Sequence, residues 1–576
     1  MITFKINDQE VTVPEGTTIL NAANSVGIKI PTLCFLKEQQ GIEFQSASCR
    51  VCMVEEPGRQ KMLAACSTKA WNGLQVRTDT PRVIKTRRAM IELLLSNHPK
   101  DCLICHKNGD CELQNLAAEC GVREVPFQGE MNKCRIDHSS LSIVRDMNKC
   151  ILCKRCQEVC TNVQSVGCLT DVGRGFHTVV GTAFDMPMID TTCTFCGQCL
   201  AVCPTGALAE VDNTSKVWDA LVSGKTVVVQ TAPAVRVALG EMFGMEPGEV
   251  VTGKMVGALR MLGFDYVYDT NFAADVTIME EAAELVHRLK HGGVLPILTS
   301  CCPSWIKFIE HNFGDMLEIP SSCKSPHEMF GALAKTYLAD RLKIDREDMV
   351  VVSVMPCVAK KYESARPELS VDGASDVDIV ISTRELGHML REIGVRFDAV
   401  PDSEFDDFMG ESSGAGTIFG VTGGVLEATL RTAYEWITGE TLDQVVFEDL
   451  RGYRNVKSAT IDIQGKPFRV ASASGLKNAR MLLNQIRSGE EKFDAIEIMA
   501  CPGGCIAGGG QPSVHQDYTI LEKRMAAIYR IDERKVIRQS HKNPSVIRLY
   551  DEFIGEPYGE KAHALLHTEF KMRTKM

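Results

Sequence analysis

The rhythm of apolar and polar positions changes along this chain. In Thr3-Phe4-Lys5-Ile6 and Val11-Thr12-Val13 they alternate, which predicts two paired strands, followed by a short helix near Ile19 to Asn24. Helical spacing returns over Val83 to Leu95. From about residue 213, short apolar runs alternate with helical stretches. Strands are expected at Lys225–Gln230 (ended by Pro233), Phe264–Asp269, Val294–Leu298, Met349–Met355, Val377–Ile381 and Ala495–Met499. Helices are expected at Met255–Leu262, Met279–Leu289, Trp305–His311 and from Arg384 onward. The alternation predicts an α/β domain with largely parallel sheets behind smaller α+β units.

Length adds a prior of about four domains for 576 residues. Hydrophobic residues at 44% and charged residues at 24% exclude a disordered chain. No run of 18 apolar residues occurs, so no membrane-spanning helix is expected. The first residues lack the apolar core of a signal peptide, which makes a cytoplasmic protein the expectation. Against 74 acidic side chains stand 63 Lys and Arg, and the net charge of −11 argues against nucleic acid as the main partner. Cysteine is the departure from an ordinary enzyme. Of 24, 18 lie between Cys34 and Cys203 and six in the remaining 373 residues. Without an export signal, so many thiols point to metal or redox chemistry rather than disulfides.

The front of the chain resolves into three cysteine groups. In residues 1–78, Cys34, Cys49, Cys52 and Cys66 suit a [2Fe–2S] cluster in a plant-type-like ferredoxin domain. Fourteen residues rather than the plant-type four separate Cys34 from Cys49, and four cysteines also make a zinc site. In residues 79–136, His98 precedes Cys102-Leu-Ile-Cys105 and Cys111. Three thiolates and an imidazole can hold zinc or a [4Fe–4S] cube, and imidazole would leave a cube less negative and raise its potential. In residues 137–212, Cys150-x2-Cys153-x2-Cys156-x3-Cys160 recurs as Cys193-x2-Cys196-x2-Cys199-x3-Cys203-Pro204. This is the two-[4Fe–4S] bacterial ferredoxin-like pattern, in which each run's fourth cysteine ligates the other cube. One cube would use Cys150, Cys153, Cys156 and Cys203, the other Cys193, Cys196, Cys199 and Cys160. The first run lacks the following proline, Thr161 standing there. One [2Fe–2S] and three accessory [4Fe–4S] clusters would form an electron conduit.

In residues 213–576, Cys302, Cys357, Cys501 and Cys505 each follow the carboxyl end of an expected strand. In open α/β sheets such ends converge on one crevice, so three loops could deliver four thiolates to a single point. Unliganded buried cysteine is the plainer alternative. Gly414-Ala-Gly416-Thr-Ile-Phe-Gly420 lacks the spacing of a dinucleotide fingerprint and reads as a loop leading into a helix. No Walker loop occurs.

Three stretches carry a resemblance: Thr299-Ser-Cys-Cys-Pro-Ser-Trp305, Met355-Pro-Cys-Val-Ala-Lys-Lys-Tyr-Glu363 and Glu497-Ile-Met-Ala-Cys-Pro-Gly-Gly-Cys505. With the order of the front clusters, they make the whole chain resemble the iron-only ([FeFe]) hydrogenases, above all the catalytic subunit of multimeric NAD(P)-linked hydrogenases. The resemblance implies that residues 213–576 form an H-cluster catalytic domain with a C-terminal small-subunit-like region. Cys302, Cys357, Cys501 and Cys505 would ligate the cluster's [4Fe–4S] part, with Cys505 bridging to a diiron unit carrying carbonyl, cyanide and a bridging dithiolate. Lys360 would hydrogen-bond one cyanide, Pro233 and Ala234 would lie near the other, and Met355 and Met499 would pack against the cluster. Many relatives have Ser where this chain has Ala234, so one hydroxyl donor would be missing.

The implied reaction is the reversible combination of protons and electrons to dihydrogen. Protons would pass through Cys301, Glu281, Ser321, Glu284 and Arg288 to the surface. By themselves, Glu281 and Glu284 would read as a solvated helix face. Electrons would come from ferredoxin or from flavin- or NAD(P)-binding partner subunits, and dedicated maturation proteins would install the diiron unit. Two competing readings are a pure electron-transfer module and an assembly or sensory relative without catalysis. The three intact back-half stretches argue against the first, and the presence of Cys301, Lys360 and Cys505 against the second. Cys120, Cys134, Cys168 and Cys323 receive no role.

Overall fold

The computed structural model describes residues 1–573 apart from 40, 45–46, 372, 441–446, 448–449 and 453–455. At the front, strands Ile2–Ile6 and Gln9–Val13 pair antiparallel, and Gln75–Val76 returns parallel beside the first. Phe4, Ile6, Val11 and Val13, the apolar half of the alternation, close over the helix Ile19–Ser25. That helix starts at Thr18, whose hydroxyl accepts from the Asn21 amide at 3.2 Å. The next helix, Pro81–Ser96, has proline in its first turn and Thr80 as its cap.

The duplicated cysteine runs fold alike. Strand Ile143–Arg145 pairs antiparallel with Leu208–Glu210, closing the unit. In each run the backbone turns through two left-handed residues, Leu152 and Lys154 in one, Phe195 and Gly197 in the other. The turns aim amides inward, so the Leu152 amide donates to Cys150 Sγ and the Phe195 amide to Cys193 Sγ, both at 3.4 Å.

The back of the chain holds two four-stranded sheets. In one, Tyr266–Asp269, Thr226–Thr231, Met349–Met355 and Ile379–Ser382 lie side by side, all parallel. In the other, Ile297–Leu298, Ala495–Met499 and Lys466–Ser474 are parallel, with Val456–Ile463 antiparallel at the edge. The thiolate-bearing loops leave both of these sheets. Two expectations change here. The run Val294–Leu298 pairs only at Ile297–Leu298, since Val294 and Leu295 face solvent. The helix expected at Met279–Leu289 spans Thr270–His291. Its first half is buried all round, against Gly424–Thr438, Pro326–Leu333 and Gly414–Ile418, so no polar face marks it in the sequence. The run Gly414–Ile418 is itself a short helix, capped by Ser413.

Candidate active site and cluster chain

Strand ends set the centre. Cys302 caps the helix Pro303–Asn312 just past Ile297–Leu298, Cys357 follows Met349–Met355, and Cys501 and Cys505 follow Ala495–Met499. All four line one cavity, together with Cys301, Pro233, Met355, Met499 and Lys360. Ala234 lies behind Pro233, its carbonyl accepting from Gln511 Nε2 at 2.9 Å. Burial pushes all four thiols up, that of Cys357 to about 12. A thiolate in such a place needs a cation beside it. Gly504 and Gly508 let the last loop close, because a Cβ at either would strike backbone, at Val421–Thr422 and Pro356 respectively.

One cation is built into the wall. Lys360 Nζ donates to Glu363 Oε2 at 2.7 Å and to the Cys301 carbonyl at 3.1 Å. Burial opposes its charge, but Glu363 more than offsets this and raises the Lys360 pKa. Burial likewise opposes the Glu363 charge, and Lys360 and His327 nonetheless hold that carboxyl down at about 2. His327, which sequence reading missed, lines the same cavity. Its Nδ1 meets Glu363 at 3.1 Å, and its Nε2 is buried without a partner. The only cue was a Ser-Pro-His-Glu run at a helix start, which has no periodicity of its own.

Behind Cys301 lies the carboxylate pair. Glu281 and Glu284 share one face of Thr270–His291. Ser321 Oγ donates to Glu284 Oε2 at 2.7 Å, and Arg288 Nη2 to Glu284 Oε1 at 2.6 Å. The Ser300 amide points at Glu281 Oε1 from 3.5 Å, and Glu281 Oε2 is buried without a partner. Burial, then the Glu284 charge, pushes Glu281 up to about 8. Burial, then Glu281, pushes the Cys301 thiol far above its ordinary value. Arg288, expected at the surface, is half-buried. It also donates to the carbonyls of Val294, Ile319 and Pro320, which leaves its side chain 12% exposed.

The front cysteines gather as follows. Cys34, Cys49, Cys52 and Cys66 are close enough to hydrogen-bond one another, which lowers Cys34 and raises Cys66. Cys105 lies within electrostatic reach of Cys111, and His98 and Cys105 both face Lys149. His98 is buried with its Nδ1 unpartnered, whereas Cys102 is exposed. Cys150, Cys153, Cys156 and Cys203 line one small cavity. Cys160, Cys193, Cys196 and Cys199 line another, with Cys168 also in its wall. Each run thus sends its fourth cysteine to the other run's cavity.

The groups also touch in series. Cys34, Cys49, Cys111 and Cys153 share one apolar cluster, and Cys156, Cys199, Cys203 and Cys357 share another. Cys501 Sγ lies 4.0 Å from the Cys196 carbonyl, and Gln198 Nε2 donates to the Ala507 carbonyl at 3.1 Å. Lys307 Nζ donates to the Cys193 carbonyl at 2.7 Å, and burial lowers its pKa to about 8.

Comparison with known proteins adds to this geometry. The family profile "Iron only hydrogenase large subunit, C-terminal domain" matches residues 225–509, and "Iron hydrogenase small subunit" matches 518–573. Residues 1–81 match a 2Fe-2S iron-sulfur cluster binding domain, 87–126 the NADH-ubiquinone oxidoreductase-G iron-sulfur binding region, and 149–207 a 4Fe-4S dicluster domain. The chain is 54% identical to the NADP-reducing hydrogenase subunit HndD of Solidesulfovibrio fructosivorans, covering 100% of both chains. It is 37% identical to iron hydrogenase 1 of Clostridium pasteurianum, over 99% of this chain and 100% of that one. The solved apo [FeFe]-hydrogenase HydA1 from Chlamydomonas reinhardtii superposes with a TM-score of 0.58 at 42% identity, covering 63% of this chain and 99% of that one.

Proposed function

The chain belongs to the iron-only hydrogenases, and from that premise we propose that it interconverts protons and dihydrogen at an H-cluster fed by four accessory clusters. The observation that carries the reading is the single cavity lined by Cys302, Cys357, Cys501 and Cys505, with Cys301 and Lys360 beside them. The residues present fit the absent group. Four thiols around one cavity, Cys357 and Cys501 buried and Cys302 and Cys505 half-buried, would become thiolates only beside a cation, and the unpartnered His327 Nε2 and the Lys360 ammonium offer donors to anionic ligands. When bound, the cluster supplies the centre at which two protons and two electrons become dihydrogen, or the reverse.

The chain's own residues handle the protons. Cys301 keeps its thiol proton because burial forbids the thiolate, and it holds that proton at the cavity wall. Glu281, neutral over much of the pH range near 7, can give a proton or take one. Ser321 and Glu284 continue the line by a direct hydrogen bond, and Arg288 closes its outer end. Met355, Met499 and Pro233 exclude water without competing as ligands.

For electrons, Cys34, Cys49, Cys52 and Cys66 would hold the [2Fe–2S] cluster, and His98, Cys102, Cys105 and Cys111 the first cube. The two swapped sets around Cys150–Cys160 and Cys193–Cys203 would hold the other two. Exposed Cys102 makes the His98 cube the natural contact for a partner. We assign that role to NAD(P)-linked partner subunits of a cytoplasmic complex, with ferredoxin as the alternative donor, and the HndD relative favours the former. No described helix is long and apolar enough to cross a membrane. Infrared spectroscopy of protein matured with its accessory proteins tests the central claim. Carbonyl and cyanide bands are expected, and their absence from iron-replete protein would refute it.

A further inference from the structure

Glu284 has a second set of neighbours. Arg288 occupies its Oε1, so Oε2 faces Ser321, Ser322 and Cys323. Cys323 Sγ lies 4.0 Å from that oxygen and 4.0 Å from His567 Nδ1, and the three atoms all lie within 4.8 Å of one another. A backbone bridge between Cys323 and His567 fixes the pair, and all three residues are buried. Neither Cys323 nor His567 takes part in the proton route described above.

We propose that Glu284 Oε2, Cys323 Sγ and His567 Nδ1 form a zinc site, with Ser322 Oγ or water as the fourth donor. Thiolate, imidazole and carboxylate are the ligand types zinc prefers. A tetrahedral zinc would place sulfur and nitrogen about 3.5 Å apart, so the pocket needs to contract by about half an ångström. The orientation of the imidazole is already set. His567 Nε2 meets Glu280 Oε2 at 3.0 Å, and Glu280 is held by the Tyr550 hydroxyl and by the Tyr558 amide at 2.8 Å. This is the carboxylate–histidine arrangement found behind metal ligands, and it leaves Nδ1 on the side of Ser322, whose Oγ lies 2.8 Å away, and of Cys323. Binding releases the Cys323 proton, and two anionic ligands then neutralise the dication. The approach runs past half-buried Ser322 and exposed His563, whose ring lies 4.3 Å from that of His567.

The consequence for turnover rests on the proposed role of Glu284: a carboxylate bound to zinc no longer exchanges a proton with Ser321. The test uses the matured holoenzyme and one equivalent of zinc ion. Zinc K-edge X-ray absorption should show one sulfur and otherwise nitrogen or oxygen neighbours, and dihydrogen evolution should fall at least about tenfold. Cys323→Ser and His567→Gln should keep the basal rate, lose the retained zinc and escape inhibition. Failure to retain zinc through gel filtration overturns the site. So does a shell without sulfur, a shell of sulfur alone, or equal inhibition of parent and variants. Zinc held in the mixed shell with turnover unchanged would instead uphold the site and reject Glu284 as a proton carrier.

Discussion

Replacing Glu281 by Gln keeps the side chain's size and removes its ability to titrate. In the folded protein, burial and the neighbouring Glu284 move this carboxyl from its ordinary 4.5 to about 8. At about 1.4 kcal/mol per pH unit, the neutral form is favoured by at most about 5 kcal/mol relative to water. At pH 7 roughly nine-tenths of the molecules carry the proton, which is the state a two-way relay needs. The same shift makes a statement about stability. Below pH 4.5 folded and unfolded chains both hold the proton, so the group contributes nothing. Between 4.5 and 8 the unfolded chain releases it while the folded chain retains it, so stability falls as pH rises, and above 8 the full penalty applies. Glu281→Gln removes both effects. Dihydrogen evolution from a reduced viologen dye should drop by about a hundredfold or more. The variant's melting temperature should equal the parent's near pH 4.5 and exceed it increasingly towards pH 8. Activity within threefold of the parent would refute the relay. A stability difference independent of pH would refute the electrostatic argument behind it.

Four further outcomes are expected. Cys301→Ala should abolish most turnover with iron content nearly unchanged, and full activity would remove Cys301 from the route. Lys360→Gln leaves Glu363 buried without its main cation, and the infrared cyanide bands should weaken or shift while the [4Fe–4S] signals persist. His98→Cys adds a negative ligand, so a redox titration followed by electron paramagnetic resonance should find one cluster potential lowered. Arg431→Met strips Glu427 and Asp532 of a buried partner at 2.6 and 2.8 Å. Because Arg451 and Arg538 still pair with those carboxylates, the loss should sit near the low end of the usual range, about 3 kcal/mol by urea denaturation.

What the sequence made legible follows from covalent constraint. Three cysteines within seven residues can wrap three corners of one iron–sulfur cube, so both ferredoxin-like runs announce themselves. Strand ends such as Met355 and Met499 were equally plain, because a fully buried strand is a continuous apolar run. Other features carry no such signature. That the thiolate loops leave two sheets depends on pairing between distant strands. The first half of Thr270–His291 hides because burial on every side erases the amphipathic pattern. The hairpin Val456–Ile463 with Lys466–Ser474 went unread because its outer strand is half polar and only partly covered. His327 and the clasp on Arg288 are matters of tertiary proximity, and no local spacing encodes them.

One contact between the two halves of the chain bears on how such a machine ages and evolves. Gly197, in the loop of the second ferredoxin-like cysteine run, lies against Gly509, beyond the last active-site cysteine, so closely that a Cβ on either would stand within 3 Å of the other's Cα. The spacing between the loop of the second ferredoxin-like cysteine run and the active-site loop is therefore fixed where main chain meets main chain, with no side chain left to shrink, swell or flip. Electron tunnelling falls off exponentially with distance, so the gap that governs its rate is insulated from the slow drift of packing that surface and core substitutions bring. For clusters held as proposed, the innermost electron step would then keep its distance whatever substitutions surround it.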